Sequence, residues 1–373
     1  MTLWPAFALR SEVILEVTGL PVFAETTGQS HVYLDPRQSS VKGGSRSQGW
    51  SMLGREDLAA VFDDEYDAKP CPKTASRIAG EAAVLTDIVE QARKHRVVII
   101  NESHTVTLHR DFSRCVIRAL RPHGFSVLAA ETFANVSDGP DPVDQHAHLP
   151  FLHQDIGYYS KEPVFAAMLR EAKALGYRFA AYEQTFSSKR DREEEQAANL
   201  AAILGKMGQG EKLIVHVGYG HADEVPRVYG KSRDRSMMAA RLKRDHGYDP
   251  LTLGQTVCRG GTQEIGLLAM PSDEGAPFDF AIEHPLSAFA YGRASWRFDG
   301  AYQPVAIPKA FAASDTPLII EAFAEGDPFK ALPHDRVWIE PGEDVRLALK
   351  PGRYTVRAVR PAVLSAVRSP TKP

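Results

Sequence analysis

At 373 residues, with 43% hydrophobic and 24% charged residues, the chain has ordinary globular composition and enough length for about two domains. A formal net charge of −3 with interspersed signs provides no global field for nucleic acid and no basic block for a membrane surface. No stretch approaches the ~20 apolar residues of a membrane span.

Residues 1–20 are apolar in patches, but Arg10, Glu12 and Glu16 make them a poor signal peptide, which tilts the expectation towards a cytoplasmic protein. The first 75 residues carry no regular pattern and are expected to form an N-terminal extension, partly disordered. Within it, 38–49 is rich in Ser, Gly, Lys and Arg and reads as exposed or disordered chain. Cys71, Cys115 and Cys258 are odd in number and widely spaced, so neither a disulfide framework nor a thiolate zinc site is expected. Cys115 falls on the apolar face of an expected helix, as core filler.

From residue 76 the pattern becomes regular. Ile78, Leu85, Ile88, Val89 and Ala92 recur at helical spacing, followed by the apolar run Val97-Val98-Ile99-Ile100. Leu108, Phe112, Val116 and Leu120 line a second helix, and 126–130 forms the next strand. The alternation repeats through a helix around 164–172, a strand at 177–182, a helix around 197–204, a strand at 212–217, a short helix at 237–244 and a strand at 250–257. Short continuous apolar strands alternating with amphipathic helices predict an α/β fold, a mostly parallel sheet with helices on both faces. Two further edge strands are expected near 266–270 and 278–282. From about Pro333 the apolar residues alternate between Pro-Gly turns, which predicts a small C-terminal antiparallel β module over 333–373 beside the 76–332 core.

Right-handed crossovers place the carboxyl ends of parallel strands on one edge, where open α/β sheets bind ligands. The strand at 97–100 runs into Asn101-Glu102-Ser103-His104, the next ends in Glu131, the third in Glu183, and that at 212–217 leads into Gly218-Tyr219-Gly220-His221. Glu183 alone reads as a loop or helix cap. Glu102, His104, Glu131 and His221 together are expected to converge, because a carboxylate at a buried strand end needs a hydrogen bond, a counter-ion or a metal. Two histidines with two glutamates would suit manganese, iron, cobalt or zinc. The same groups would also serve metal-free chemistry, one histidine accepting a proton from water while a glutamate orients its ring. Arg192 opens the helix after Glu183 within reach of the site. His109, Arg110 and Arg114 follow His104 on a helix whose amino terminus points at the same edge, although a solvated face explains each arginine as well. The 31-residue connection 132–162 is long enough for a lid, and its His146-Ala147-His148 offers metal ligands or plain surface histidines.

Val97 to His104, V-V-I-I-N-E-S-H, resembles the strand plus G-E-x-H signature of the superfamily joining erythromycin esterases, ChaN haem-binding lipoproteins and Tiki proteases. Glu131 is similar to that superfamily's second acid, Arg192 to Leu200 resembles its R-E-x-x-M-A-x-N-I helix, and G-Y-G-H at 218–221 resembles its last motif. Asn101 replaces the family glycine and Gln196 the usual methionine. The resemblance covers roughly 75–257 and implies a site on this sheet edge. The activity it implies is a hydrolase of ester or amide bonds, with Glu102, His104, Glu131, His221 and Arg192 acting on a small-molecule or peptide substrate. The alternative it implies is a haem- or iron-binding protein without catalysis.

Overall fold

The computed structural model describes residues 12–38, 44–62, 70–71, 77–226, 228–229, 233–271 and 275–362. Eight strands form a mostly parallel central sheet in a mixed α/β architecture. Their spatial order is Arg77–Ala79, Gly266–Ala269, Phe280–Glu283, Leu251–Gly254, Val97–Glu102, Lys212–Gly218, Phe125–Ala130 and Arg178–Ala180. The last six pair in parallel, and the first two join through antiparallel ladders. The two strands expected at the edge are therefore present on this sheet but inside it: Arg77–Ala79, whose Ile78 was expected in a helix, forms the edge beyond them.

The strand Val97–Glu102 is buried along its whole length. Its alternate side chains enter two different clusters, as the period of two dictates. Val98 and Ile100 pack with Ile88 of Glu81–Ala92, Phe112 and Val116 of Thr107–Leu120, and Phe165 and Leu169 of Pro163–Ala174. Val97 and Ile99 pack with Leu200 and Leu204 of Arg192–Lys206 and Leu242 of Met238–His246. Asp191 caps Arg192–Lys206 by accepting from the amides of Glu193 and Glu194, so the residue preceding the expected motif sets where that helix begins.

Four sequence expectations need correction. The N-terminal segment is not an appendage: Val13–Val17 and Val22–Phe23 pair in parallel with the strand Gly352–Arg360. Of 38–49, residues 39–43 lie outside the described residues, while Gly44–Met52 is a helix whose Trp50 is buried edge-on to Trp338. The antiparallel module also starts before Pro333, because Leu318–Ala324 sits between Gly352–Arg360 and Asp335–Ile339 in its sheet. Finally, Cys71 and Cys258 are joined as a disulfide, with Cα atoms 5.0 Å apart across 187 residues of sequence. Spacing rules read local pairs, and only the folded sheet brings these two cysteines together. Cys115 is buried and free, and burial pushes its thiol up to about 12, as suits a core residue.

The 132–162 connection is ordered rather than loose. It contains the helix Pro142–Gln145 and helical turns at Gln154–Ile156 and Tyr159–Lys161, and it buries Phe133, Val143, Leu152 and Ile156 in the core. It also binds the module: Gln154 N–H donates to Lys330 O at 2.9 Å, and Leu332 N–H donates to Leu152 O at 2.8 Å.

Candidate active site

Val97–Glu102 lies beside Lys212–Gly218, which lies beside Phe125–Ala130, so Glu102, His104, Glu131 and His221 come together at one sheet edge. Glu102 is buried, and its carboxylate accepts from Arg110 Nε at 2.6 Å and Nη2 at 2.9 Å. Arg110, with no exposed surface, spans to Glu162 at 3.0 Å and stacks over Phe165 with its guanidinium carbon 5.3 Å from the ring centre. Burial by itself raises the pKa of Glu102, but Arg110, His216 and His104 overcome it and hold the carboxyl far below its ordinary range. Glu102 therefore stays ionised. Arg110 does not lie on a solvated face.

His104 Nδ1 lies 3.1 Å from Glu102 Oε1. An ionised carboxylate only accepts, so Nδ1 carries a proton, and in the neutral ring Nε2 presents a lone pair. Tyr159 stacks on the ring with centroids 4.0 Å apart, and Tyr219 meets it edge-on at 4.8 Å. The Tyr219 hydroxyl accepts from the His104 amide at 3.3 Å. Tyr219 holds φ at 48°, an uncommon value for a residue with a side chain, so the turn is strained in order to deliver that ring. Gly218 has ordinary extended angles, and its need for glycine is steric. A Cβ there would sit 2.7 Å from His104 Nε2 and 3.0 Å from Glu131 Oε2. His104 and Glu131 therefore pack directly over the Gly218 backbone, with Nε2 and Oε2 both turned to the same spot.

Glu131 accepts from the Gly218 amide at 2.6 Å and from Arg192 Nη2 at 2.7 Å. Burial raises its pKa, but His221, His104 and these hydrogen bonds bring it below the usual value. His221 Nδ1 lies 2.7 Å from a Glu193 oxygen, and Nε2 lies 3.0 Å from Arg192 Nη1 and 3.9 Å from Glu131. Burial lowers the pKa of His221, whereas Glu193 and Glu131 raise it to a net increase. The Arg192 contact requires a neutral acceptor at Nε2, so proton uptake by His221 must turn Arg192 aside. Arg192 is itself anchored by both oxygens of Glu183, which Gln196 also binds at 3.0 Å. Glu183 thus positions Arg192, a role beyond simple capping.

His216, in the middle of the apolar run Lys212–Gly218, had no role in the sequence reading. It is buried, its Nε2 lacks a hydrogen-bond partner, and it lies 3.7 Å from Glu102. Burial pushes its pKa down to about 4, so its ring is neutral near pH 7. Glu193, Tyr159 and Glu162 were also missed. Only Glu193 left a signal, as the second residue of the 192–200 motif. His109 faces away from the cluster and accepts from the Ser103 amide at 3.0 Å. Arg114 pairs with Asp111 and Glu171 on the outer side of the helix.

The four residues do not fit a shared metal. Both oxygens of Glu102 are taken by Arg110 and His104, and those of Glu131 by Gly218 and Arg192. Bringing the two carboxylates onto one cation would strand two guanidinium groups. Among the described residues, the group whose ligand atoms all lie within 4.8 Å of one another is His146, His153 and Asp155, on the 132–162 connection. His146 thus joins His153, with rings stacked at 4.0 Å, instead of the main cluster.

Beside the cluster opens a cavity of about 640 Å³. Glu131, Glu183 and Arg192 close one end, and Tyr158, Lys161 and Phe186 line the rest. Burial, then Arg336, lowers the Lys161 amine to about 8. No described helix is long and apolar enough to cross a membrane.

No family model and no curated protein matches the chain. Among solved structures, one described as bacterial protein toxins is similar at 17% identity and a TM-score of 0.35, over 54% of this chain and 40% of its own. The type III effector HopBA1 is similar at 13% identity and 0.35, over 58% and 99%. RRSP, a MARTX toxin effector domain from Vibrio vulnificus, is similar at 16% identity and 0.32, over 55% and 38%. This chain thus spans about 40% of the length of the first of these structures. TM-scores this low do not establish a common fold.

Proposed function

We propose that the protein is a metal-independent hydrolase of ester or amide bonds, allied to the erythromycin esterase, ChaN and Tiki superfamily. The carrying observation is the orientation of His104. Its Nδ1–H is committed to Glu102, which Arg110 keeps ionised, and its Nε2 is turned to the same spot over Gly218 as Glu131 Oε2. An attacking water held against these two atoms would donate one hydrogen to His104 Nε2 and one to Glu131 Oε2. His104 takes a proton as that water attacks the substrate carbonyl, and later returns it to the leaving oxygen or nitrogen. Glu102 orients and stabilises the imidazolium without itself becoming protonated. His221 is the poorer base, because Arg192 donates to its Nε2 and covers it. Arg192 instead forms the cationic side of the site, suited to the oxyanion that develops on the carbonyl. The adjoining cavity, open to solvent and partly aromatic, suits a small-molecule or peptide substrate.

No specific observation favours the haem alternative, since charged Glu131, Asp155, Lys161, Glu183 and Arg192 wall the cavity that a porphyrin would enter.

The test is turnover of a panel of p-nitrophenyl esters and peptide anilides in buffer containing a chelator. Activity should survive chelation, and His104→Ala should lower it by ~10²–10⁴-fold, the usual contribution of a positioned general base. Loss of activity on chelation, full activity in His104→Ala, or no turnover of any substrate would sink the proposal.

A further inference from the structure

Away from this site, a second pocket of about 360 Å³ lies where the helix Pro163–Ala174 meets the C-terminal module. Its wall carries four cationic side chains, Arg114, Arg118, Arg170 and Lys350, against one lining carboxylate, Glu171. Arg114 and Arg118 are matched: Glu171 pairs with both, and Asp111 pairs with Arg114 at 2.7 Å. Arg170 and Lys350 are not. The guanidinium of Arg170 donates to the carbonyl oxygens of Leu332 and Pro333, both at 3.3 Å, and no described carboxylate lies within ion-pairing distance. Lys350 Nζ sits 4.9 Å over the ring of Tyr302, a cation–π contact that leaves its charge unneutralised.

The neighbouring acids do not cancel this excess. Asp335 is bound by Arg293 and Arg297. Asp327 lies 3.9 Å from His334, and burial raises its own pKa. His334, on the pocket wall, registers the resulting potential: burial, then Arg170 and Lys350, push its pKa down to about 3. A half-buried guanidinium held only by carbonyl dipoles gains from a true counter-ion, because such hydrogen bonds are stronger when both partners are charged.

We propose that this pocket is a binding site for a small phosphate-bearing anion, which Arg170 and Lys350 would hold between the core helix and the module. Two unmatched positive charges in one pocket favour a dianion over a carboxylate, and arginine's fork matches phosphate geometry. The ligand would bridge two parts of the fold, so its binding should stabilise the whole chain.

Inorganic phosphate is the probe, with acetate and chloride at matched ionic strength and a simple phosphate monoester, glycerol 3-phosphate, as the organic arm. Wild-type protein should melt higher in millimolar phosphate or the monoester than in acetate or chloride. Tighter binding of the monoester would identify an organic phosphate as the ligand, whereas equal binding would identify free phosphate. Lys350 is exposed, so Lys350→Glu should fold normally and weaken phosphate binding at least tenfold, while Lys309→Glu, outside the pocket, should leave it unchanged. In proton NMR spectra at neutral pH the His334 ring resonances should shift when phosphate is added and stay put with chloride at equal ionic strength, a change that nonspecific salt stabilisation would not produce. Equal stabilisation by acetate, unchanged binding in Lys350→Glu, or His334 resonances indifferent to phosphate would each overturn the proposal.

Discussion

Replacing Gly218 with alanine sets backbone preference against the needs of the site. Gly218 sits at φ −80° and ψ 142°, which alanine adopts without strain. Loss of unfolded-state freedom alone would then favour alanine by about 0.4–1 kcal/mol. The new Cβ, however, would lie 2.4 Å from His104 Cε1, where ordinary contact begins at 3.4 Å. The imidazole must therefore withdraw by about 1 Å, a misplacement of the size that costs about 10²-fold in rate. It cannot withdraw freely, because Tyr159 stacks on it at 4.0 Å and Glu102 holds Nδ1 at 3.1 Å. Overpacking of about 1–3 kcal/mol, less the backbone gain of about 0.4–1 kcal/mol, leaves a net loss of about 0–2.6 kcal/mol. Urea unfolding measures that loss, and kcat/KM on the best ester of the panel measures the rate. Gly220→Ala is the control, since its Cβ would meet only Met237 Cε at 3.9 Å. If Gly218→Ala keeps more than half its activity, or Gly220→Ala does equal damage, the reasoning about the close packing over Gly218 fails.

Arg110→Met would strand Glu102 and Glu162 as buried, uncompensated carboxylates and should destabilise the protein by about 3–5 kcal/mol in urea unfolding; a loss below about 1 kcal/mol would show that the network is not what holds Glu102. The neutral, buried His216 should make the fold acid-sensitive. Its folded pKa of about 4 lies below the unfolded 6.5, so the unfolded chain takes up a proton first, and stability should decline between about pH 6.5 and 4. For this histidine alone the loss is up to roughly 3 kcal/mol. His216→Gln should flatten that part of the stability–pH curve, and an unchanged slope would count against a neutral His216.

The convergence of Glu102, His104, Glu131 and His221 was legible in the sequence because it follows from strand order and chain direction alone. Val97–Glu102, Phe125–Ala130 and Lys212–Gly218 are apolar runs between amphipathic helices, and each polar residue sits where such a run ends. The groups that set the chemistry were less visible. Arg110 follows Glu102 by eight residues, yet whether it faces solvent or the sheet depends on Glu162, which lies beyond an intervening strand and connection. Tyr159 comes from that same connection, whose conformation no short-range pattern specifies. His216 looks like any strand residue until its neighbours across the sheet are known. The metal reading failed for a related reason, since residue types admit a cation but only geometry reveals the guanidinium groups already in its place.

The parallel pairing of Val13–Val17 with Gly352–Arg360 bears on how the chain is made. The first strand of this ladder is synthesised long before its partner. Until then its unpaired edge is a template for wrong partners, and closing so long a loop is a late and slow event in folding. Completion of the module's sheet therefore waits on the synthesis of Gly352–Arg360, so a ribosome that stalls before residue 352 leaves behind a chain with a ready-made site for aggregation.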